Sequence, residues 1–147
     1  MNSFSRILDN KALAIALVSW TIAQAAKVII DISINKKFDL KRLVGSGGMP
    51  SSHSAFVMAL STGIGKLQGW NSPLFAIAIS YAFVVMYDAA GVRRAAGKQA
   101  EILNIIIMDV VEHKGLKEER LKELIGHTPI EVIAGGILGI ITANIML

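Results

Sequence analysis

The chain has 147 residues, enough for one domain, and no cysteine, which excludes disulfides and thiolate metal sites. Hydrophobic residues make up 53% of the chain and charged residues 18%, against roughly 45–50% and roughly 25% in soluble domains. The net charge of +4 therefore fits a membrane with anionic lipid better than nucleic acid, and no nucleic-acid partner is expected.

Four apolar segments follow one another along the chain, at 12–34, 54–67, 73–92 and 129–147. A membrane-spanning helix needs roughly 20 apolar residues, so the second segment is short and we expect its neighbours to shelter it. Gly135, Gly136 and Gly139 in the fourth segment would let another helix approach closely. No strand-period alternation is visible. The prediction is an all-α fold, a small polytopic membrane helix bundle that forms one domain over residues 1–147.

Between the third and fourth segments the pattern changes to that of an amphipathic helix. Apolar Ile102 and Ile106 alternate with polar Glu101 and Asn104 at helical spacing. Gly115 would end this helix, and a short charged helix would follow. Such a segment is expected to lie at the membrane interface or to pack under the bundle.

The stretch "GSGGMPSSHSA", residues 45–55, leads into the second apolar segment. Free backbone N–H groups and the positive dipole end at a helix start suit a phosphate, and the hydroxyls of Ser51 and Ser52 add donors. An ordinary serine N-cap after a glycine loop explains the same serines. His53 is less simply explained, because an ionisable side chain at the start of a membrane helix indicates function.

A second histidine stands at the start of the fourth segment, in "GHTPIEV", residues 126–132. Thr128, Pro129 and Glu131 match a capping box with proline at the first helical position. The functional interpretation is that Glu131, four residues after His127, fixes the tautomer of the imidazole. A glutamate that reaches back toward its helix start could serve both purposes.

Three basic residues are candidates for holding a phosphate. Arg93 and Arg94 follow the third segment directly, and guanidinium groups bind phosphate oxygens in bidentate fashion. Arginines beside a membrane helix are also ordinary positive-inside anchors. Lys27 lies inside the first segment, where a charge costs roughly 2.5–3.5 kcal/mol on insertion scales. Pairing with Asp31 or snorkelling to the interface are the alternatives for Lys27.

Three strings carry a resemblance to a known family: "GGMPSSHSA", "DAAGVRRAAGKQAEILN" and "LKELIGHTPIEV". Pro50-Ser51-Ser52-His53 is similar to the Pro-Ser-Gly-His element of the type 2 phosphatidic acid phosphatase superfamily, which includes the vanadium-dependent haloperoxidases. His127-x3-Glu131 is similar to the end of its Ser-Arg-x5-His-x3-Asp element. The chain most closely resembles a divergent membrane branch of that superfamily, over about residues 27–139.

Two parts of the superfamily pattern are missing. The chain has no Lys-x6-Arg-Pro stretch, and Lys27 is the best stand-in for its lysine. Leu121 stands six residues before His127, where the pattern has arginine. Arg93 or Arg94 would have to supply that charge from elsewhere in the chain.

The resemblance implies a membrane phosphatase that hydrolyses a lipid phosphate or pyrophosphate without a metal or other cofactor. His127 would attack phosphorus and form a phosphohistidine, His53 would protonate the leaving group, and Glu131 would orient His127. Lys27, an arginine and the N–H groups at the helix start would hold the charge on the phosphoryl oxygens. The partners expected are membrane lipid and a phosphorylated lipid substrate.

Two other functions remain open at this point. The first is a non-catalytic member of the same family that binds anionic headgroups or a protein partner. The second is a vanadate-using peroxidase, which the membrane character disfavours because those enzymes are typically soluble. The sequence leaves a homo-oligomer open.

The distribution of basic residues predicts the orientation in the membrane. With four crossings, eleven of the 15 Lys and Arg residues share one side and three the other, while Lys27 lies inside the first helix. The positive-inside rule places the eleven in the cytoplasm and the N-terminus outside. We therefore expect an integral, multi-pass protein of the cell membrane whose site opens to the cytoplasmic face.

Overall fold

The computed structural model of the chain describes residues 9–35, 48–114 and 126–147, and they are almost wholly helical. The helices are α1 (Lys11–Asn35), α2 (Ser52–Gln68), α3 (Pro73–Tyr87), a π-helical turn (Asp88–Val92), α4 (Arg93–Lys114) and α5 (Pro129–Met146). No strand occurs among the described residues. The predicted all-α class is confirmed.

Local sequence sets where the helices start. Ser51, Ser72 and Thr128 are the N-caps of α2, α3 and α5, and each side-chain oxygen accepts a backbone N–H of the first turn. Proline follows directly at Pro73 and Pro129, where its missing N–H costs no helical hydrogen bond.

Among the described residues, three stretches are long and apolar enough to cross a membrane: Lys11–Ser33, Pro73–Met108 and Pro129–Met146. Helix α2 has 17 residues, which at 1.5 Å per residue is about 26 Å, somewhat short of a hydrocarbon core of about 30 Å. Nine of its residues are buried, and it packs against α1, α3 and α5. The expectation that neighbours shelter the short helix is confirmed, because α2 is the centre of the bundle.

Helices α2 and α5 lie backbone against backbone. A Cβ placed at Gly135 would overlap the Ser51 carbonyl oxygen, and one at Gly139 would overlap the Ala55 carbonyl oxygen. Glycines four residues apart form the small-residue surface that brings membrane helices together. The predicted role of Gly135 and Gly139 is confirmed, and their partner is α2.

Hydroxyl groups join α2 to its other two neighbours. Ser19 Oγ in α1 donates to the Ala55 carbonyl oxygen at 3.3 Å. Ser61 Oγ in α2 donates to the Ala78 carbonyl oxygen of α3 at 2.9 Å. Inside an apolar bundle these bonds satisfy buried hydroxyls and fix the position of each helix against α2.

The bundle alternates in direction and so has two distinct ends. At one end, Gly48 before α2 packs against Lys27 of α1, and Ser51 N–H donates to the Glu131 carbonyl of α5. At the other end, Lys66 Nζ of α2 donates to Asn144 Oδ1 of α5. The polar residues singled out in the sequence therefore gather at the first end, which we call the site end.

The helix of the third apolar segment continues beyond that segment. Helix α3, the π-helical turn and α4 follow one another without a break from Pro73 to Lys114. Ile102 and Ile106 are exposed on α4, whereas Asn104 is 6% exposed. The predicted amphipathic segment is thus helical and follows directly on the helix of the third apolar segment, and its place at the membrane interface or under the bundle stays a prediction. The short charged helix predicted after Gly115 lies outside the described residues.

Candidate functional site

Lys27 of α1 points into the protein at the site end. It is 6% exposed, although the membrane-facing Ile29 two residues later is 64% exposed. Gly48 lies directly on its aliphatic stem, since a Cβ at Gly48 would sit 3.1 Å from Lys27 Cγ and 3.2 Å from Cδ. A side chain enclosed in this way does not snorkel along the outer surface. The ammonium group is held within the bundle.

His127 and Glu131 form the predicted pair at the start of α5. His127 lies just before the helix, and Glu131 lies in its first turn. His127 Nδ1 lies 3.1 Å from Glu131 Oε2, and the imidazole is buried at 3% exposure. The same Oε2 accepts the Thr128 N–H at 2.9 Å, while Thr128 Oγ1 accepts the Glu131 N–H at 3.4 Å. Glu131 therefore completes the capping box and also contacts the histidine, and its role in fixing the imidazole tautomer stays a prediction.

This contact determines which imidazole nitrogen can react. When Nδ1–H donates to an ionised Glu131, the lone pair of His127 is on Nε2. A carboxylate behind an imidazole also stabilises the positive charge that forms when Nε2 takes a proton or bonds to an electrophile. The pair therefore has the chemistry of an oriented base or nucleophile.

Two backbone hydrogen bonds hold the start of α5 in place. His127 N–H donates to the Ala89 carbonyl in the π-helical turn at 3.1 Å, and Ser51 N–H donates to the Glu131 carbonyl at 3.0 Å. The start of α5 is thus tied to both α2 and the end of α3. These contacts join residues far apart in the chain, and no local pattern in the sequence indicates them.

Charge is partly balanced within the site. The Glu131 carboxylate attracts the Lys27 ammonium electrostatically, and the two groups come from different helices. A buried lysine inside a membrane helix is stabilised by such a partner. An incoming phosphate would compete with Glu131 for the same ammonium group.

The two serines before His53 are both buried. Ser51 Oγ accepts hydrogen bonds from Ser54 N at 3.4 Å and from Ser54 Oγ at 3.0 Å, so Ser51 is the N-cap of α2. Ser52 is the first residue of that helix. The capping interpretation of Ser51 is confirmed, and phosphate binding by either serine stays a prediction.

His53 lies in a different part of the site end. It is exposed and lines a groove with side chains of α1 and α3. The structure therefore brings Lys27, Glu131 and His127 to the site end, and places His53 in this groove at the first turn of α2.

The two arginines start α4, directly after the π-helical turn. Arg94 is exposed, and the side chain of Arg93 is outside the described part of the structure. Their backbone follows the turn that accepts the His127 N–H, so they belong to the site end. Which of them contacts a phosphate stays a prediction. Among the described residues, no three His, Asp or Glu side chains gather into a metal-binding group.

The fold and the site together define an integral membrane helix bundle with a buried lysine, a buried histidine and a partly buried glutamate at one end. Comparison with known proteins agrees. The model of the Divergent PAP2 family matches residues 8–142. "Uncharacterized membrane protein YuiD" of Bacillus subtilis (strain 168) is 42% identical over 95% of this chain and 96% of its own length. The chain belongs to the divergent PAP2 family. No solved structure matches it.

Proposed function

We propose that the protein is a membrane phosphatase that hydrolyses a lipid phosphate or pyrophosphate through a phosphohistidine on His127. The observation that carries this proposal is the contact of the buried His127 with Glu131, 3.1 Å apart, at the end of the bundle where Lys27 is buried. A nucleophile backed by a carboxylate and placed beside a buried cation suits attack on a phosphoryl group.

In the first step the lone pair of His127 Nε2 forms a bond to phosphorus, and the bond from phosphorus to the lipid oxygen breaks. The leaving oxygen takes a proton from protonated His53. In the second step water attacks phosphorus, the phosphorus–nitrogen bond breaks, and the proton of the water passes to His53. Inorganic phosphate leaves, and both histidines return to their starting states.

The charge on the three phosphoryl oxygens needs positive partners throughout. Lys27 supplies one, and Arg93 or Arg94 supplies another from the start of α4. N–H groups at the start of α2 complete the set. Since the positive groups are all protein side chains and N–H groups, we propose a reaction without added metal.

Phosphate release by purified protein in detergent tests the proposal. A panel of long-chain lipid phosphates and pyrophosphates is incubated with a metal chelator, and inorganic phosphate is measured. We expect release from at least one of them, and acid-labile phosphate on the protein after rapid quenching. Absence of release across the panel, with vanadate still bound, would contradict the phosphatase proposal.

One observation favours a second function. The imidazole of His53 lines a groove between α1, α2 and α3, and the sequence has leucine at position 121, where the superfamily pattern has arginine. A protein lacking a positioned acid and that arginine would bind anionic headgroups without hydrolysing them. Binding of vanadate or phosphate without turnover in the same assay would support this non-catalytic alternative.

A further inference from the structure

The Ser52 hydroxyl is buried at the start of α2. Ser52 is the first residue of that helix and is 2% exposed. Within the part of the chain that the structure describes, its side chain makes no hydrogen bond. A buried hydroxyl normally has a hydrogen-bond partner, because burying it without one costs free energy. The serines beside it do have one, since Ser54 Oγ donates to Ser51 Oγ at 3.0 Å.

Helical geometry gives the direction of the Ser52 side chain. Seven residues of an α-helix turn through about 700°, so Ser52 and Ala59 point within about 20° of each other. Ala59 packs with Ile15 of α1 and Ala143 of α5. Ser52 therefore points to the boundary between α1 and α5, and not into the groove that His53 lines.

The contacts between α1 and α2 give the depth of this hydroxyl in the bundle. The two helices run in opposite directions and face each other in a regular series of pairs: Ala12 with Gly63, Ser19 with Ala55, and Lys27 with Gly48. Ser52 falls between the last two pairs, opposite the buried Ala23. Lys27 follows Ala23 by one helical turn, toward the site end.

Helix α5 approaches the same point from the other side. Gly135 lies against the backbone of Ser51, and Glu131 precedes Gly135 by one turn, on the side of the site end. The Ser52 hydroxyl is therefore about one helical turn deeper in the bundle than Lys27 and Glu131. It lies at the inner end of the candidate site.

We propose that the Ser52 hydroxyl donates a hydrogen bond to an oxygen of the bound phosphate, as the innermost ligand of the site. The inference rests on the proposed function and adds a neutral donor to its positive groups. A hydroxyl donates readily to an anionic oxygen, and the anion would supply a partner for the buried hydroxyl. The superfamily pattern has glycine at this position, so the hydroxyl has no counterpart there. Ser51 keeps its role as the N-cap of α2.

Binding of orthovanadate, which resembles phosphate, to purified protein in detergent tests this role. Ser52→Ala removes the hydroxyl and breaks no hydrogen bond among the described residues, so Tm should not fall. The Kd for vanadate, measured by isothermal titration calorimetry, should rise about tenfold, because one hydrogen bond to the anion is lost. If Ser52→Ala does not fold, Ser52→Gly, which carries the residue of the superfamily pattern, replaces it. Failure of both variants to fold would contradict the inference, since the hydroxyl would then be needed by the protein itself.

Ser61→Ala is the matched control. Ser61 is also a buried serine of α2, but its hydroxyl donates to the Val57 and Ala78 carbonyls at 2.7 and 2.9 Å. Its removal should lower Tm, because the bond to α3 is lost, and should leave the Kd for vanadate unchanged. The two alanines should thus have opposite effects on stability and on binding.

The outcomes keep this inference apart from the phosphatase proposal. Weaker vanadate binding by Ser52→Ala alone supports the inference, whether or not the parent releases phosphate from a lipid. Parent-like affinity in a folded Ser52→Ala protein overturns it and assigns the hydroxyl to an ordered water. Equal losses of affinity in Ser52→Ala and Ser61→Ala, or a parent that binds neither vanadate nor phosphate, also overturn it. Vanadate binding by the parent without phosphate release would contradict the phosphatase and not the role of Ser52.

Discussion

Glu131 Oε2 accepts two hydrogen bonds, one from the Thr128 N–H and one that involves His127 Nδ1. The first belongs to the start of α5 and the second to the chemistry of the histidine. Glutamine also completes a capping box. A change that keeps the shape of the side chain and removes its charge therefore separates the role of Glu131 in capping α5 from its role beside His127.

Glu131→Gln should therefore fold like the parent and lose most of its activity. The amide oxygen still accepts the Thr128 N–H, whereas the charge that stabilises a positive imidazole is gone. We expect Tm in detergent to change little and turnover of the lipid phosphate to fall by about 10²–10⁴-fold. Turnover equal to that of the parent would show that Glu131 is only a helix cap.

His127→Ala should abolish turnover and the acid-labile phosphoenzyme together, because Nε2 is the proposed point of attachment. Loss of turnover alone does not identify a nucleophile, since a misfolded protein loses it too. The decisive measurement is radiolabelled phosphate on the quenched, gel-purified protein. Label that persists in a folded His127→Ala variant would exclude His127 as the nucleophile.

Lys27→Met should insert into the membrane as well as the parent, because it removes a charge that costs roughly 2.5–3.5 kcal/mol inside a membrane helix. It should nevertheless weaken vanadate binding by about tenfold or more, since a charge-assisted contact to the anion is lost. Lys66→Met, at the opposite end of the bundle, is the control. Equal vanadate affinity in all three proteins would leave Lys27 with a purely structural role.

At the scale of the helices, the contact between α2 and α5 depends on the absence of side chains. A Cβ at Gly139 would overlap the Ala55 carbonyl and lie 2.8 Å from the Ala59 nitrogen. Backbone atoms cannot rotate out of the way as a flexible side chain can, so the two helices would have to separate.

Gly139→Ala should therefore destabilise the bundle by about 1–3 kcal/mol, the usual cost of overpacking. Thermal unfolding in detergent, followed by circular dichroism, measures the effect. Gly91→Ala is the matched control, because a Cβ there meets nothing within 4 Å. If both alanines lower Tm equally, close packing at Gly139 is not what stabilises the pair of helices.

The sequence predicted what depends on spacing along one helix. The His127–Glu131 contact follows from a separation of four residues, and the approach at Gly135 and Gly139 follows from small residues in an apolar helix. It could not name α2 as the partner, because helix pairing is a property of the assembled bundle.

The same distinction explains what the sequence missed at the site. The glycine- and serine-rich stretch before the second apolar segment predicted His53 at the start of α2. The direction of its side chain, however, depends on which face of α2 packs on α5. The contact of Gly48 with Lys27 and the bond from His127 to Ala89 join distant parts of the chain. The sequence also did not indicate that the helix of the third apolar segment continues through Arg93 and Arg94 into α4.

At the scale of the whole molecule, the basic residues are distributed unevenly along the sequence, and this distribution predicts the orientation. With four crossings, eleven Lys and Arg residues would fall on the side of the membrane where the site lies and three on the other, with Lys27 within the first helix. We expect the site end to face the cytoplasm, where it would act on headgroups of the inner leaflet.

Cysteine labelling measures this orientation, and the chain contains no cysteine of its own. Met49 and Asn71 are exposed at the site end and the opposite end, respectively. A membrane-impermeant thiol reagent added to intact cells should label Asn71→Cys and not Met49→Cys. The reverse pattern would invert the orientation, and labelling of both or neither would contradict four crossings.

The contact of α2 with α5 also has a consequence for the order of biosynthesis. Helix α5 begins about 60 residues after α2 ends, and a chain emerges from its N-terminus onward. The serine, alanine and glycine surface of α2 is therefore made well before the helix that covers it. During this interval α1 and α3 are its available protein neighbours, through Ser19 and Ser61. The central helix of the finished bundle is thus the one whose packing is completed only when α5 arrives.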